Sequence, residues 1–255
     1  MKKALLYTLV FVAIEALIPS LIGLMLGLFK ASIPPDSARM MIISLTAANV
    51  VTIALFLYLR WAEVSRSYVR SRPWDVFFWS ALAAVGMVIP STCLQEQMPE
   101  LPNLVEQEFD MILKDRWGYF AVGLLAPLCE ELVFRGAVLR ALLRWTPRHW
   151  VAIAISALFF ALIHVNPAQM PHAFLAGLLL GWLYYRTDSV VPGIVLHWVN
   201  NSIAYVVYNL YPDPDMQLID LFGTQRHVAA AVVFSLFILL PALYQLHLRM
   251  KKADE

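Results

Sequence analysis

Charge is what this chain has least of. Asp, Glu, Lys and Arg make up only 15% of its 255 residues, against 60% hydrophobic, where soluble domains run near ~25% charged and ~45–50% apolar. So few charges leave almost nothing for a water-exposed domain. They predict an all-α fold, a polytopic transmembrane helical bundle forming one integral-membrane unit over residues 1–255. A formal net charge of +1 gives no basic footprint for nucleic acid. Cysteine is scarce too: Cys93 and Cys129 both fall in or beside apolar runs, which excludes a disulfide framework and a Cys-rich metal site. A signal-peptide cleavage site is also missing. The run from Lys2 to about Leu28 is too long for a signal core and carries Glu15 and Pro19, so it reads as a retained span with Glu15 buried against other helices. No glutamate lies between two histidines four apart, so the helix-borne zinc-protease pattern is missing. No internal repeat is apparent, which argues against an inverted-repeat transporter.

What is present is a series of apolar runs, at 1–28, 39–60, 75–95, 118–143, 150–165, 171–186, 190–209 and 227–248. They predict about eight spans of ~20 residues, the fifth and sixth being short. Trp61, Trp74, Trp117, Trp145 and Trp150 sit near run ends, as interfacial aromatics do. Basic clusters at Lys2–Lys3, Arg60–Arg72, Arg140–Arg148, Arg186 and Arg249–Lys252 fall on one side of such a bundle. The other side carries Lys30, Arg39, Lys114, Arg116 and Arg226, together with acidic stretches that include Glu106, Asp110, Asp215 and Asp220. The positive-inside rule then puts both termini in the cytosol of a plasma-membrane protein. Residues 96–116 read as an amphipathic helix on the outer surface. Gly177 and Gly181 form a small-xxx-small pattern that permits close helix approach.

Three charges interrupt the fourth run, in Cys129-Glu130-Glu131-Leu132-Val133-Phe134-Arg135-Gly136. A charge near the bilayer centre costs at least ~2.5–3.5 kcal/mol, so they need a reason. Helical neighbours are ~100° apart, and the two glutamates therefore face different ways. Glu131 stands four residues before Arg135, the favoured order for an ion pair. Glu130 is left without a local partner and free to act. In the fifth run Phe160 and His164 share a face; in the seventh His197 and Asn201 do, with Asn200 a weaker candidate. A carboxylate, two imidazoles and a carboxamide are the parts of a water-activating hydrolase. Glu130 with His164 would serve as base, and His197 with Asn201 as oxyanion donors. The set Glu130, His164 and His197 equally suits a divalent metal such as zinc with an open water position. The spacing does not choose between them. At ~1.5 Å per residue, Glu130, His197 and His164 come out about 15, 10 and 20 Å from the basic ends of their runs, so tilt or a later start of the fifth helix is needed to bring them together.

The ordered set EExxxR, FxxxH and HxxxN, at Glu130–Arg135, Phe160–His164 and His197–Asn201, resembles the CAAX-protease and bacteriocin-processing (CPBP, or Abi) family of intramembrane proteases. Its eukaryotic relatives are the type II CAAX prenyl endopeptidases. The resemblance covers about residues 118–205, which would be the catalytic core. It implies an intramembrane endopeptidase acting on a membrane-associated peptide or protein, in a cavity open mainly toward the cytosol. Glu130 and His164 would activate water, His197 and Asn201 would form the oxyanion hole, and Glu131, Arg135 and Phe160 would support them. Family members are commonly labelled metalloproteases, and glutamate-activated water without metal has also been proposed for the fold. Some relatives are immunity or regulatory proteins, so a non-catalytic membrane protein is the competing expectation, with a proton- or metal-coupled transporter behind it.

Overall fold

Every one of the apolar runs is helical in the computed structural model, which describes residues 1–28, 34, 37–213 and 216–252. Lys30 and Asp215, used above for orientation, lie outside the described residues. In chain order the helices are α1 (Lys2–Leu28), α2 (Ala38–Tyr58), the short α3 (Arg66–Ser71), α4 (Trp74–Glu96) and α5 (Glu106–Lys114). Then come α6 (119–145), α7 (His149–Leu162), α8 (Met170–Thr187), α9 (Val191–Leu210), α10 (Leu218–Phe222) and α11 (Gln225–Arg249). Among the described residues four helices, α1, α2, α4 and α11, are long and apolar enough to cross a membrane. The outward faces of α1 and α11 carry exposed Leu17, Leu21, Leu24, Phe234 and Phe237, a surface that only lipid covers without penalty. The protein is an integral-membrane helical bundle.

At the centre lies α6. It is continuous but changes winding, with Tyr119–Leu125 and Leu132–Leu139 as π-helix and Ala126–Glu131 and Arg140–Trp145 as α-helix. Pro127 bears on this directly. The Ala126 N–H bonds Ala121 O in the wide i→i+5 pattern, and the next such bond would run from residue 127 to Val122 O. Proline has no N–H, so the Val122 carbonyl is left for another donor. All eight residues of the second π stretch are buried. They pack against α1, α2 and α7, and Ser156 of α7 donates its hydroxyl to Phe134 O at 3.0 Å.

Two close approaches complete the frame. A Cβ on Gly177 would stand 2.9 Å from Ala157 Cβ, and one on Gly181 2.8 Å from Ile153 Cγ2. The paired glycines therefore seat α8 directly on α7, as small residues do inside membranes. Helix α5 lies at the acidic end of the bundle, held to α9 by three contacts. Tyr208 donates to Asp110, Asn209 Nδ2 to Leu113 O at 3.2 Å, and Tyr205 to Asp115 O at 3.5 Å. The strand of chain before α5 is pinned by buried Asn166, which donates to Asn103 Oδ1 at 2.8 Å and accepts from Leu104 N at 3.1 Å.

Candidate active site

The Glu131–Arg135 ion pair closes at 2.8 Å with side chains 0% and 1% exposed. Arg135 is otherwise held by Gly177 O at 3.3 Å and by the face of Phe160, 4.4 Å from the guanidinium carbon. Gly177 thus does two things: it admits α7, and it brings a backbone carbonyl to a buried cation. Glu131 Oε2 lies where a Cβ on Gly193 would come within 2.8 Å, so the Pro192-Gly193 start of α9 is what lets that helix approach the carboxylate.

Glu131 has a second partner that helix spacing did not reveal. Its Oε1 receives His197 Nδ1 at 3.0 Å, across 66 residues. A carboxylate only accepts, so Nδ1 carries the proton and Nε2 is the nitrogen left to act. That nitrogen stands 3.7 Å from Glu130 Oε2. The distance is too long for a direct hydrogen bond and right for both groups to hold one water. His197 is therefore clasped between the adjacent glutamates, its two ring nitrogens turned to different ones. The glutamates also differ in access: the Glu130 side chain is 17% exposed and Glu131 is sealed. Only Glu130 meets the cavity.

His164 lies just past the C-terminal end of α7, in the turn after Leu162. Its Nδ1 donates to Phe160 O at 2.8 Å, which leaves Nε2 as the nitrogen available to the cavity. The Phe160 ring touches His164 and His197 edge-on, at centroid distances of 5.0 and 5.7 Å. The 14-residue α7 starts at His149 and ends before His164, and Phe160 lies between the two imidazoles. Asn201 Nδ2 donates to Val122 O at 3.0 Å, supplying the bond that Pro127 cannot make.

Glu130, His164, His197 and Asn201 all line one cavity of about 860 Å³. Phe160, His172, Asn200, Tyr205 and Tyr208 line it too, as do Glu106 and Asp110 of α5. Gln95 and Gln169 join α5 in lining it, at the acidic end of the bundle. Among the described residues it is His197 whose imidazole comes within 4 Å of Glu130, while His164 lines the same cavity. As for zinc, no group of three His, Cys, Asp or Glu side chains among the described residues is placed to hold a metal ion. Glu130, His164 and His197 do not form such a group, although each histidine, its Nδ1 held by Phe160 O or by Glu131, keeps Nε2 free.

Residue spacing missed His172, which follows Pro171 at the start of α8 and has no polar neighbour four residues away to mark it. Cys129 is buried and not among the cavity-lining residues.

Comparison with known proteins bears on this same segment. Residues 113–203 match the family described as type II CAAX prenyl endopeptidase Rce1-like. The chain is also 23% identical over 140 residues to the UPF0177 protein YxdF of Lactococcus lactis subsp. lactis. That alignment covers 54% of this chain and 65%, less than two thirds, of the relative. No solved structure matches.

Proposed function

We propose that the chain, whose residues 113–203 match the type II CAAX prenyl endopeptidase Rce1-like family, is an intramembrane endopeptidase that hydrolyses a peptide bond of a membrane-associated substrate. The observation that carries this is the 3.7 Å gap between Glu130 Oε2 and His197 Nε2 at the wall of the cavity. A water seated there has one hydrogen directed at the carboxylate and its oxygen free to attack. Glu130 takes the proton, the hydroxide adds to the scissile carbonyl, and the protonated Glu130 returns the proton to the leaving amine as the C–N bond breaks. Glu131, its charge matched by Arg135, holds His197 in the tautomer that turns Nε2 to the water. His164, with Nδ1 on Phe160 O, leaves Nε2 on the cavity as an alternative to His197 for accepting the water's second hydrogen. The oxyanion is met by Asn201, whose nitrogen has two hydrogens: one bonds Val122 O and the other is available to the substrate.

No step is routed through a metal, since among the described residues no three His, Cys, Asp or Glu side chains are placed to hold one.

The test is cleavage of an internally quenched, farnesylated C-terminal peptide by the full chain in detergent or nanodiscs. Wild type should cleave it, and Glu130→Gln should fold normally while losing at least ~10²-fold in rate, as general-base removal does. Absence of cleavage by wild type, with and without the prenyl group, would overturn the endopeptidase reading. So would a Glu130→Gln protein that retains full rate.

A further inference from the structure

Behind Asn201 a line of polar atoms leads to α8. Asn201 Nδ2 donates to Val122 O at 3.0 Å. Asn201 Oδ1 accepts from Asn200 Nδ2 at 3.4 Å, and Asn200 Nδ2 also reaches His172 Nε2 at 3.5 Å. The chemistry of the groups gives this line one direction. A carboxamide nitrogen only donates and its oxygen only accepts. Val122 O must therefore face the nitrogen of Asn201, and the oxygen of Asn201 must face the nitrogen of Asn200. That nitrogen has one hydrogen for Asn201 and one left over. His172 Nε2 takes the second, provided it bears a lone pair. Val122 O at one end and His172 at the other thus impose the same rotamer on Asn201.

We propose that His172 and Asn200 are positioning residues for Asn201, holding its carboxamide so that its second N–H is presented to the cavity. This rests on the reading of Asn201 as the oxyanion donor. Loss of the His172 acceptor frees Asn200 to turn away, and Asn201 Oδ1 loses its donor. The carboxamide can then rotate about its terminal torsion, a soft two-fold degree of freedom, and the free N–H is no longer aimed.

His172→Leu removes the acceptor, whereas His172→Gln puts a carboxamide oxygen in its place. In the peptide assay His172→Leu should lower kcat by ~10-fold or more, short of the ~10²–10³-fold cost of deleting an oxyanion donor. KM should stay within about twofold of wild type, since uniform binding is untouched, and His172→Gln should recover most of the rate. The second readout does not need turnover. In protein labelled with [¹⁵N]asparagine, the side-chain amide signals of Asn201, identified by their loss in Asn201→Ala, should shift in His172→Leu and return in His172→Gln. Unmoved Asn201 signals in a folded His172→Leu protein overturn the proposal, and so does a loss of thermal stability with kcat unchanged. If the signals shift and return while wild type cleaves nothing, the positioning stands and the endopeptidase reading fails.

Discussion

Replacing Glu131 by Gln removes one charge and almost no volume, yet the structure assigns it two separate consequences. The first is stability. Glu131 and Arg135 are both sealed from solvent, 2.8 Å apart, and breaking a buried pair from one side typically costs ~3–5 kcal/mol. Arg135 would still keep Gly177 O at 3.3 Å and the Phe160 face at 4.4 Å. A hydrogen bond to a charged group is worth ~1.5–3 kcal/mol and a desolvated cation–π contact ~2 kcal/mol, so the loss should fall at the lower end, about 3 kcal/mol. The second consequence is catalytic. With an amide in place of the carboxylate, His197 Nδ1 loses its charged acceptor at 3.0 Å, and the ring is no longer held with Nε2 toward Glu130. Denaturant unfolding of the purified chain, followed beside the peptide assay, separates the two. Glu131→Gln should be destabilised and slow. Glu131→Gln combined with Arg135→Met should regain part of the stability, because no lone charge stays buried, and should remain slow. An unfolding free energy within ~0.5 kcal/mol of wild type, or activity that returns together with stability in the double variant, would refute the reasoning.

Other outcomes follow from the same contacts. Gly177→Leu has no space against Ala157, 2.9 Å from a bare Cβ, and should cost at least the ~1–3 kcal/mol of overpacking, read as lost yield or a lower unfolding midpoint; wild-type stability would contradict the α7–α8 contact. Asp110, on α5, is held below the usual carboxylate range by its hydrogen bond to Lys114 and then by Tyr208. A depressed folded-state value contributes stability above the ordinary carboxylate range that is lost as pH falls through the folded value. The protection factors of the α5 amides, taken relative to the intrinsic exchange rate at each pH, should therefore stay constant from neutral to mildly acidic pH and fall only in stronger acid, whereas Asp110→Asn should lower them already at neutral pH. Reporter fusions after residue 252 should signal from the cytosol and fusions within 216–225 from the opposite side; a cytosolic signal from the latter would reverse the orientation of the bundle.

Much of the architecture follows from local sequence. Apolar runs become helices within a few residues of their limits, because burying twenty apolar side chains and closing every backbone hydrogen bond leaves helix as the only solution in lipid. The Glu131–Arg135 pair is equally local: four residues on one helix face are neighbours wherever that helix packs. The same holds for Gly177 and Gly181, whose spacing announces a close approach without saying to which helix.

What joins separate helices could be seen only in three dimensions. The bond from His197 to Glu131 ties α9 to α6, and no periodicity within either element reports it. It changes Glu131 from a brace into a group that also orients an imidazole, and it places His197 beside Glu130. Pro127 looks from sequence like a mild interruption. Only the π winding of α6 shows that its missing N–H exposes Val122 O to Asn201. His172 enters the cavity because α8 begins beside Asn200, a matter of how helices dock. That α5 lines the cavity is likewise a matter of packing, since its apolar and acidic residues encode an interfacial helix but not what it covers. Contacts within about a turn are written into helix geometry, whereas contacts between spans depend on the relative shift and rotation of whole helices, which packing alone decides.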